Sequence, residues 1–307
     1  MELVVYCLLI FMTVLISELI NRLHMRYLVK AGRKAFAKER HFYETLVSRN
    51  IRYFHCLDAA QQEEFLFRTF QFHRSKKFHY VGISARPEMP VLISAVAAQL
   101  TLGLSRYRLD FFRNIYVLQH DYHYGDYSLP FMGHVDQSGI YLSWENFLQG
   151  ISNNADCSNV GLHEMAHALT YVNFITRSEE DPHFCQDFKN FSRVARPIFQ
   201  EMQKGRRTLL GEYAAINYHE FWAVSVELFF ENPYGVKHQL PELYEAMARL
   251  LNQDPVAQVK YKRSLIYKKG PPCCSTGALP IQPSAIRPSL ARPSPLFFPS
   301  EVSRHSK

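Results

Sequence analysis

The chain has 307 residues, 47% hydrophobic and 14% aromatic, enough for one sizeable core with appendages. Its formal net charge of +7 sits at the two ends: residues 22–40 hold seven basic residues and one acid, residues 260–307 nine and one, and residues 41–259 hold 19 basic against 24 acidic. A mildly acidic body argues against a nucleic-acid-binding surface, so no nucleic acid is expected among the partners. Six cysteines (Cys7, Cys56, Cys157, Cys185, Cys273, Cys274) show no CxxC and no framework spacing, which suits a reduced compartment.

The chain opens on "LVVYCLLIFMTVLISELI", Leu3 to Ile20, apolar apart from Thr13, Ser17 and Glu18. At about 1.5 Å per residue such a run just reaches across a bilayer core of about 30 Å. No basic residue precedes it and a basic cluster follows, the order of an uncleaved signal anchor that keeps the rest of the chain on the cytoplasmic side. The expected organisation is a transmembrane anchor over 1–21, a basic juxtamembrane segment over 22–40 and a body over 41–267. The protein is thus expected to be single-pass, held to the membrane by its N-terminal helix, with a cytoplasmic body.

Within the body, "LDAAQQEEFLFRTFQFHRSKKF" predicts a helix with Asp58 as N-cap. A strand candidate follows in "FHYVGIS". The uncharged run from Met89, "MPVLISAVAAQLTLGL", predicts a fully buried helix. Two further strand candidates are "NIYVL" from Asn114 and "GIYLSW" from Gly139 to Trp144. By order alone the latter is the candidate edge strand beside the helix that comes next.

That helix carries "NVGLHEMAHAL", Asn159 to Leu169. Residues four apart share one helix face, so His163 and His167 can aim both imidazoles at one ion. Glu164 projects beside them, placed to take a proton from a metal-activated water. Val160, Leu162, Met165, Ala166, Ala168 and Leu169 make the helix apolar, and histidines buried there need a partner. A catalytic zinc keeps three protein ligands. A metzincin continuation fails, because Thr170 and Asn173 stand where glycine and histidine are needed. His183 in "EEDPHF" looks like loop, and a thermolysin-like glutamate about twenty residues on is not found, Asp187 being the carboxylate nearest that position. Further on, "GEYAAINYHEFWAVSVELFFENP" places Glu220 and Glu227 seven apart on one face of an apolar helix, where carboxylates need partners. Glu220 also fits a capping box with Asn217. Glu227 has no such capping role and suits a carboxylate that orients a ligand histidine. From Lys268 the chain becomes proline-rich and aperiodic, and residues 268–307 are expected to be a disordered tail.

"NVGLHEMAHAL" taken with "GEYAAINYHEFWAVSVELFFENP" resembles the family of Mlc titration factor A, and "RNIYVLQHDYHY", "YLSWENFLQG" and "PELYEAMARLLNQDP" resemble family segments in the same order. The resemblance covers roughly residues 54–255. It implies a zinc-dependent peptidase with a lethal-factor-like zincin domain: an α+β, mostly helical fold with a small sheet before the HExxH helix. It implies His163, His167 and Glu220 as zinc ligands, Glu164 as general base and Tyr213 as a tyrosine that steadies the oxyanion. The expected activity is hydrolysis of a peptide or protein substrate; the resemblance suggests an aminopeptidase-like form, with exo- and endopeptidase action both open. The family's founding member captures a transcriptional repressor, so the alternative is a non-catalytic protein that sequesters a regulatory partner. Thr170 departs from the family, which often has aspartate there.

Overall fold

A computed structural model describes residues 2–124, 130–152 and 158–258 of the chain. The expected tail over 268–307, Cys157, Cys273 and Cys274 lie outside these residues.

The N-terminal segment is one helix, α1 (Glu2–Asn50), running without a break through the apolar run and the basic segment. Only its C-terminal part packs on the body, through Phe36, Tyr43 and Val47. Up to Lys30 every side chain described is exposed, including Phe11 at 60% and Ile20 at 61%. The expected transmembrane span over 1–21 is not found: among the described residues no helix is long and apolar enough to cross a membrane. Within the run Glu18 carries the one charge between Leu3 and Ile20, and it pairs with Arg22 at 3.3 Å.

A short 3-10 turn (Arg52–Cys56) leads to α2 (Ala59–Ser75). Asp58 caps this helix as expected, in a capping box with Gln61. The aromatic face of α2 buries Phe65, Phe67, Phe70 and Phe72 against α1 and the uncharged α3 (Glu88–Thr101). From Met89 onward α3 is buried on all sides, as its sequence predicts.

A four-stranded sheet in the order β1-β2-β4-β3 flanks these helices. β1 (Lys77–Val81), β2 (Asn114–Leu118) and β4 (Gly139–Ser143) are parallel, and β3 (Gly133–Asp136) runs antiparallel to β4. Alternation assigns the two faces. Ile115, Val117, Ile140, Leu142 and Val135 point into the core, while His79, Tyr116, Tyr141 and His134 form a stacked row on the other face with ring centroids 4.2–4.8 Å apart. The strand expected at the edge is therefore interior. β4 lies between β2 and β3, and the edge belongs to β3.

After β4 come α4 (Trp144–Ser152), α5 (Val160–Thr170) with a π-helical turn at Tyr171–Ile175, and α6 (Pro182–Gln203). A 3-10 turn (Glu212–Ala215) then leads to α7 (Tyr218–Glu231), α8 (Pro233–Gln239) and α9 (Pro241–Leu251). The result is an α+β fold, mostly helical, with a small mixed sheet before α5, in line with the expected class.

Candidate metal centre and active site

α5 holds its histidines in place because both its ends and its face are fixed. Asn159 caps it, its side chain accepting from the Leu162 amide at 3.0 Å. Gly161 lets Phe147 close on the helix, since a Cβ there would meet the ring at 2.6 Å. Val160, Leu162, Met165, Ala166, Ala168 and Leu169 are all buried, as the sequence predicts.

α7 lies along α5 in the opposite direction. Its start meets the end of α5, where the Trp222 indole donates to the Ala166 carbonyl at 2.9 Å. Its end meets the start of α5, where the Asn159 side chain donates to Glu231 at 2.9 Å. Between these points stand the two carboxylates the sequence singled out. Glu220 Oε2 lies 3.0 Å from His163 Nε2, and Glu220 Oε1 lies 3.6 Å from His167 Nε2. The two imidazole Nε2 atoms are 3.1 Å apart. One donor atom from each of His163, His167 and Glu220 thus lies within 4.8 Å of the others, a set able to hold a metal ion. Asn217 caps α7, accepting from the His219 and Glu220 amides, while the Glu220 side chain turns to the histidines.

Glu227 is fully buried and does two jobs. Its Oε1 accepts from His163 Nδ1 at 2.7 Å, and its Oε2 accepts from the Asn159 amide at 2.5 Å. The same carboxylate therefore orients the imidazole and closes the N-terminus of α5. With Nδ1 occupied as a donor, Nε2 is the nitrogen turned to the cluster.

The electrostatics agree with a site built for positive charge. Burial works against a charged His163, yet the Glu220 and Glu227 carboxylates outweigh it and raise its pKa. Burial likewise opposes ionised Glu220, but His163, His167 and a hydrogen bond from Tyr213 hold that carboxyl well below its usual range. For His167 burial wins, and its pKa falls. The donor set suits a borderline ion such as zinc: two neutral imidazoles and one carboxylate.

Glu164 is buried beside this cluster, 4% exposed, and faces the sheet edge. Gly133 on β3 approaches so closely that a Cβ there would lie 2.7 Å from Glu164 Cγ. Tyr213 comes from the 3-10 turn before α7, its ring centroid 5.9 Å from that of His163. His163, Glu164, His167, Tyr213 and Glu220 are thus brought together. His183 is not: it lies exposed on α6, bonded to the Arg249 carbonyl at 2.7 Å and facing Asp187. Thr170 bonds back to the His167 carbonyl at 3.0 Å, so its hydroxyl satisfies the end of the same helix.

Sequence reasoning missed β3 and with it Gly133, His134 and Tyr122, whose hydroxyl and His134 Nδ1 share a hydrogen bond of 2.7 Å. A signal was present in "DQSG", Asp136 to Gly139. Asp136 Oδ1 accepts from the Ser138 amide at 2.8 Å and the Gly139 amide at 3.2 Å, an Asx turn that marks a hairpin.

Residues 28–251 match the family described as glucose-regulated metallo-peptidase M90. Mlc titration factor A of Serratia proteamaculans (strain 568) is 25% identical over 227 residues, covering 66% of this chain and 84% of its own. Mlc titration factor A of Yersinia pestis (strain Pestoides F) is 24% identical over 270 residues, covering 81% of this chain and 97% of its own. The same figures hold for that of Yersinia pseudotuberculosis serotype O:3 (strain YPIII). With a family match across most of its body, the chain belongs to the glucose-regulated metallo-peptidase M90 family.

Proposed function

We propose that this protein is a zinc-dependent peptidase, with His163, His167 and Glu220 holding the ion. The observation that carries the reading is the convergence of two imidazoles and one carboxylate from antiparallel α5 and α7, with Glu164 beside them against a sheet edge. Three protein ligands suit a catalytic ion, whereas a structural one is closed by four. When bound, zinc supplies a Lewis acid that lowers the pKa of a water and polarises a scissile carbonyl.

The chain's own residues do the rest. Glu164 accepts a proton from the attacking water and delivers it to the leaving amine. Tyr213, already held by Glu220, donates to the oxyanion as it develops. Glu227 keeps His163 in one tautomer and one orientation. β3, at the end of the sheet, accepts an extended peptide as an additional strand, which brings its backbone past Glu164. The family resemblance supports an aminopeptidase-like form of this activity. The relatives' name, a titration factor for Mlc, supports a second reading in which the chain binds a regulatory protein.

One experiment separates the two. The full chain and its Glu164→Gln variant are incubated with a mixed peptide library, fragments are read by mass spectrometry, and zinc per chain is measured in both. The peptidase reading expects equal zinc, with fragments from the parent alone. Removal of single N-terminal residues would identify an aminopeptidase. Zinc in both proteins and fragments from neither would favour the binding reading.

A further inference from the structure

A groove of about 910 Å³ runs between the π-helical turn Tyr171–Ile175 and α6. Its charge differs from that of the body around it. Lys189, Arg193 and Arg196 project from one face of α6 at i, i+4 and i+7, and Arg177 faces them from the turn side. All four are exposed. Glu180, the one acid in the lining, is paired with Arg177 at 3.6 Å. Among the described residues no carboxylate lies within ion-pair distance of Lys189, Arg193 or Arg196. The body as a whole carries 24 acids against 19 bases over residues 41–259, so a concentration of unpaired cations here is a local departure.

The groove also touches the element that carries the metal cluster. The Arg196 guanidinium lies over the Tyr218 ring, 5.4 Å from its centroid. Tyr218 opens α7, in the same turn as Glu220. Phe174, packed on Phe188 at 4.6 Å, gives the groove an aromatic floor.

We propose that this groove is a docking site for an acidic segment of the protein's peptide or protein substrate. Charge complementarity identifies the occupant. The chain's own termini are excluded, since residues 22–40 and 260–307 are both strongly basic. A nucleic acid would need a basic face extending well beyond four side chains, and the acidic body denies it one. The spacing fits a peptide: Lys189 to Arg196 spans about 10.5 Å of helix, the length of about three residues of extended chain. Two carboxylate side chains two or three residues apart meet the row. The inference depends on the peptidase reading for what happens to the bound segment, but not for binding itself.

The test uses the full chain carrying Glu164→Gln, so that nothing is cleaved. A fluorescein-labelled decapeptide of alternating Glu and Ser is titrated by anisotropy against a version with Gln for Glu. The acidic peptide is expected to bind at least about tenfold tighter, a preference that weakens with salt. Lys189→Glu with Arg193→Glu removes it, with zinc content and thermal unfolding unchanged, and Lys189→Gln with Arg193→Gln gives an intermediate loss. Equal binding of the two peptides would overturn the proposal, as would undiminished binding by both double variants. So would a single-stranded oligonucleotide of equal charge that binds tighter than the peptide. Since cleavage is not read, failure of the peptidase reading leaves this result standing.

Discussion

Gly133 shows how narrowly Glu164, the proposed general base, is placed. A methyl group at that position would stand 2.7 Å from Glu164 Cγ, 2.8 Å from its Oε1 and 2.9 Å from Val160 Cγ2. Neither neighbour can yield freely, because Val160 begins α5 and Glu164 is fixed on the next turn of that helix. Gly133→Ala is therefore expected to displace the general base while leaving His163, His167 and Glu220 in place. Steady-state kinetics should show kcat reduced at least about tenfold with little change in KM, since a base acts in the transition state. Zinc content should stay at the parental level. Loss of zinc along with activity would instead mean that the strand, and not the base, had moved. Glycine at 133 carried no warning in the sequence, where it reads as one more turn residue; only the approach of β3 to α5 gives it a role. His163, Glu164 and His167 were legible because their chemistry is written in a single turn of helix. Glu227 was legible as a carboxylate in need of a partner, but the partner lies 64 positions away.

Elements show the same division between local and distant information. α3, α5 and α7 follow from their composition, and α5 and α7 also from the Asn159 and Asn217 caps, which are local properties. β3 has four residues and one buried apolar side chain, too little pattern to announce a strand, and its place at the edge depends on pairing with β4. α6 was partly hidden because "EEDPHF" reads as loop. In fact Asp181 is its N-cap and Pro182 its first residue. Asp181 is fully buried and accepts from the Ser105 amide at 2.8 Å, the Ser105 hydroxyl at 2.7 Å, the Arg106 amide at 2.9 Å and the Phe184 amide at 3.0 Å. It fastens the start of α6 to the loop after α3. Burial disfavours its charge, but the bonds from Phe184, Arg106 and Ser105 prevail and hold its pKa below the ordinary value. A carboxyl depressed on folding adds stability that is complete above its unfolded pKa of about 4 and is lost as pH falls below it. Asp181→Ala strands four donors and should cost on the order of 3 kcal/mol at neutral pH. Urea unfolding of both proteins at pH 6 and pH 3 checks this: the gap between them should narrow at the lower pH. A gap that is constant, or that widens in acid, would contradict the assignment.

At the scale of the whole molecule, most of the body was open to sequence reading and its N-terminal arm was not. The helical character of the first residues was evident, and no breaker separates them from the basic segment, but the change in composition suggested a boundary where the helix runs on. The result is an arm whose described side chains are exposed up to Lys30, attached to a body that packs around one core. That body exists to bring two distant helices together: α5 supplies imidazoles, α7 supplies carboxylates, and the sheet edge closes one side. The most direct test of this account is the metal itself. The full chain and its Glu220→Gln variant are purified without added metal and then supplied with zinc. Stoichiometry is read by elemental analysis and ligand type by X-ray absorption. The account predicts about one zinc per chain, bound through two imidazoles and oxygen donors, and much weaker retention in the variant. A folded parent that takes up no zinc, or one whose zinc is indifferent to Glu220, would contradict it.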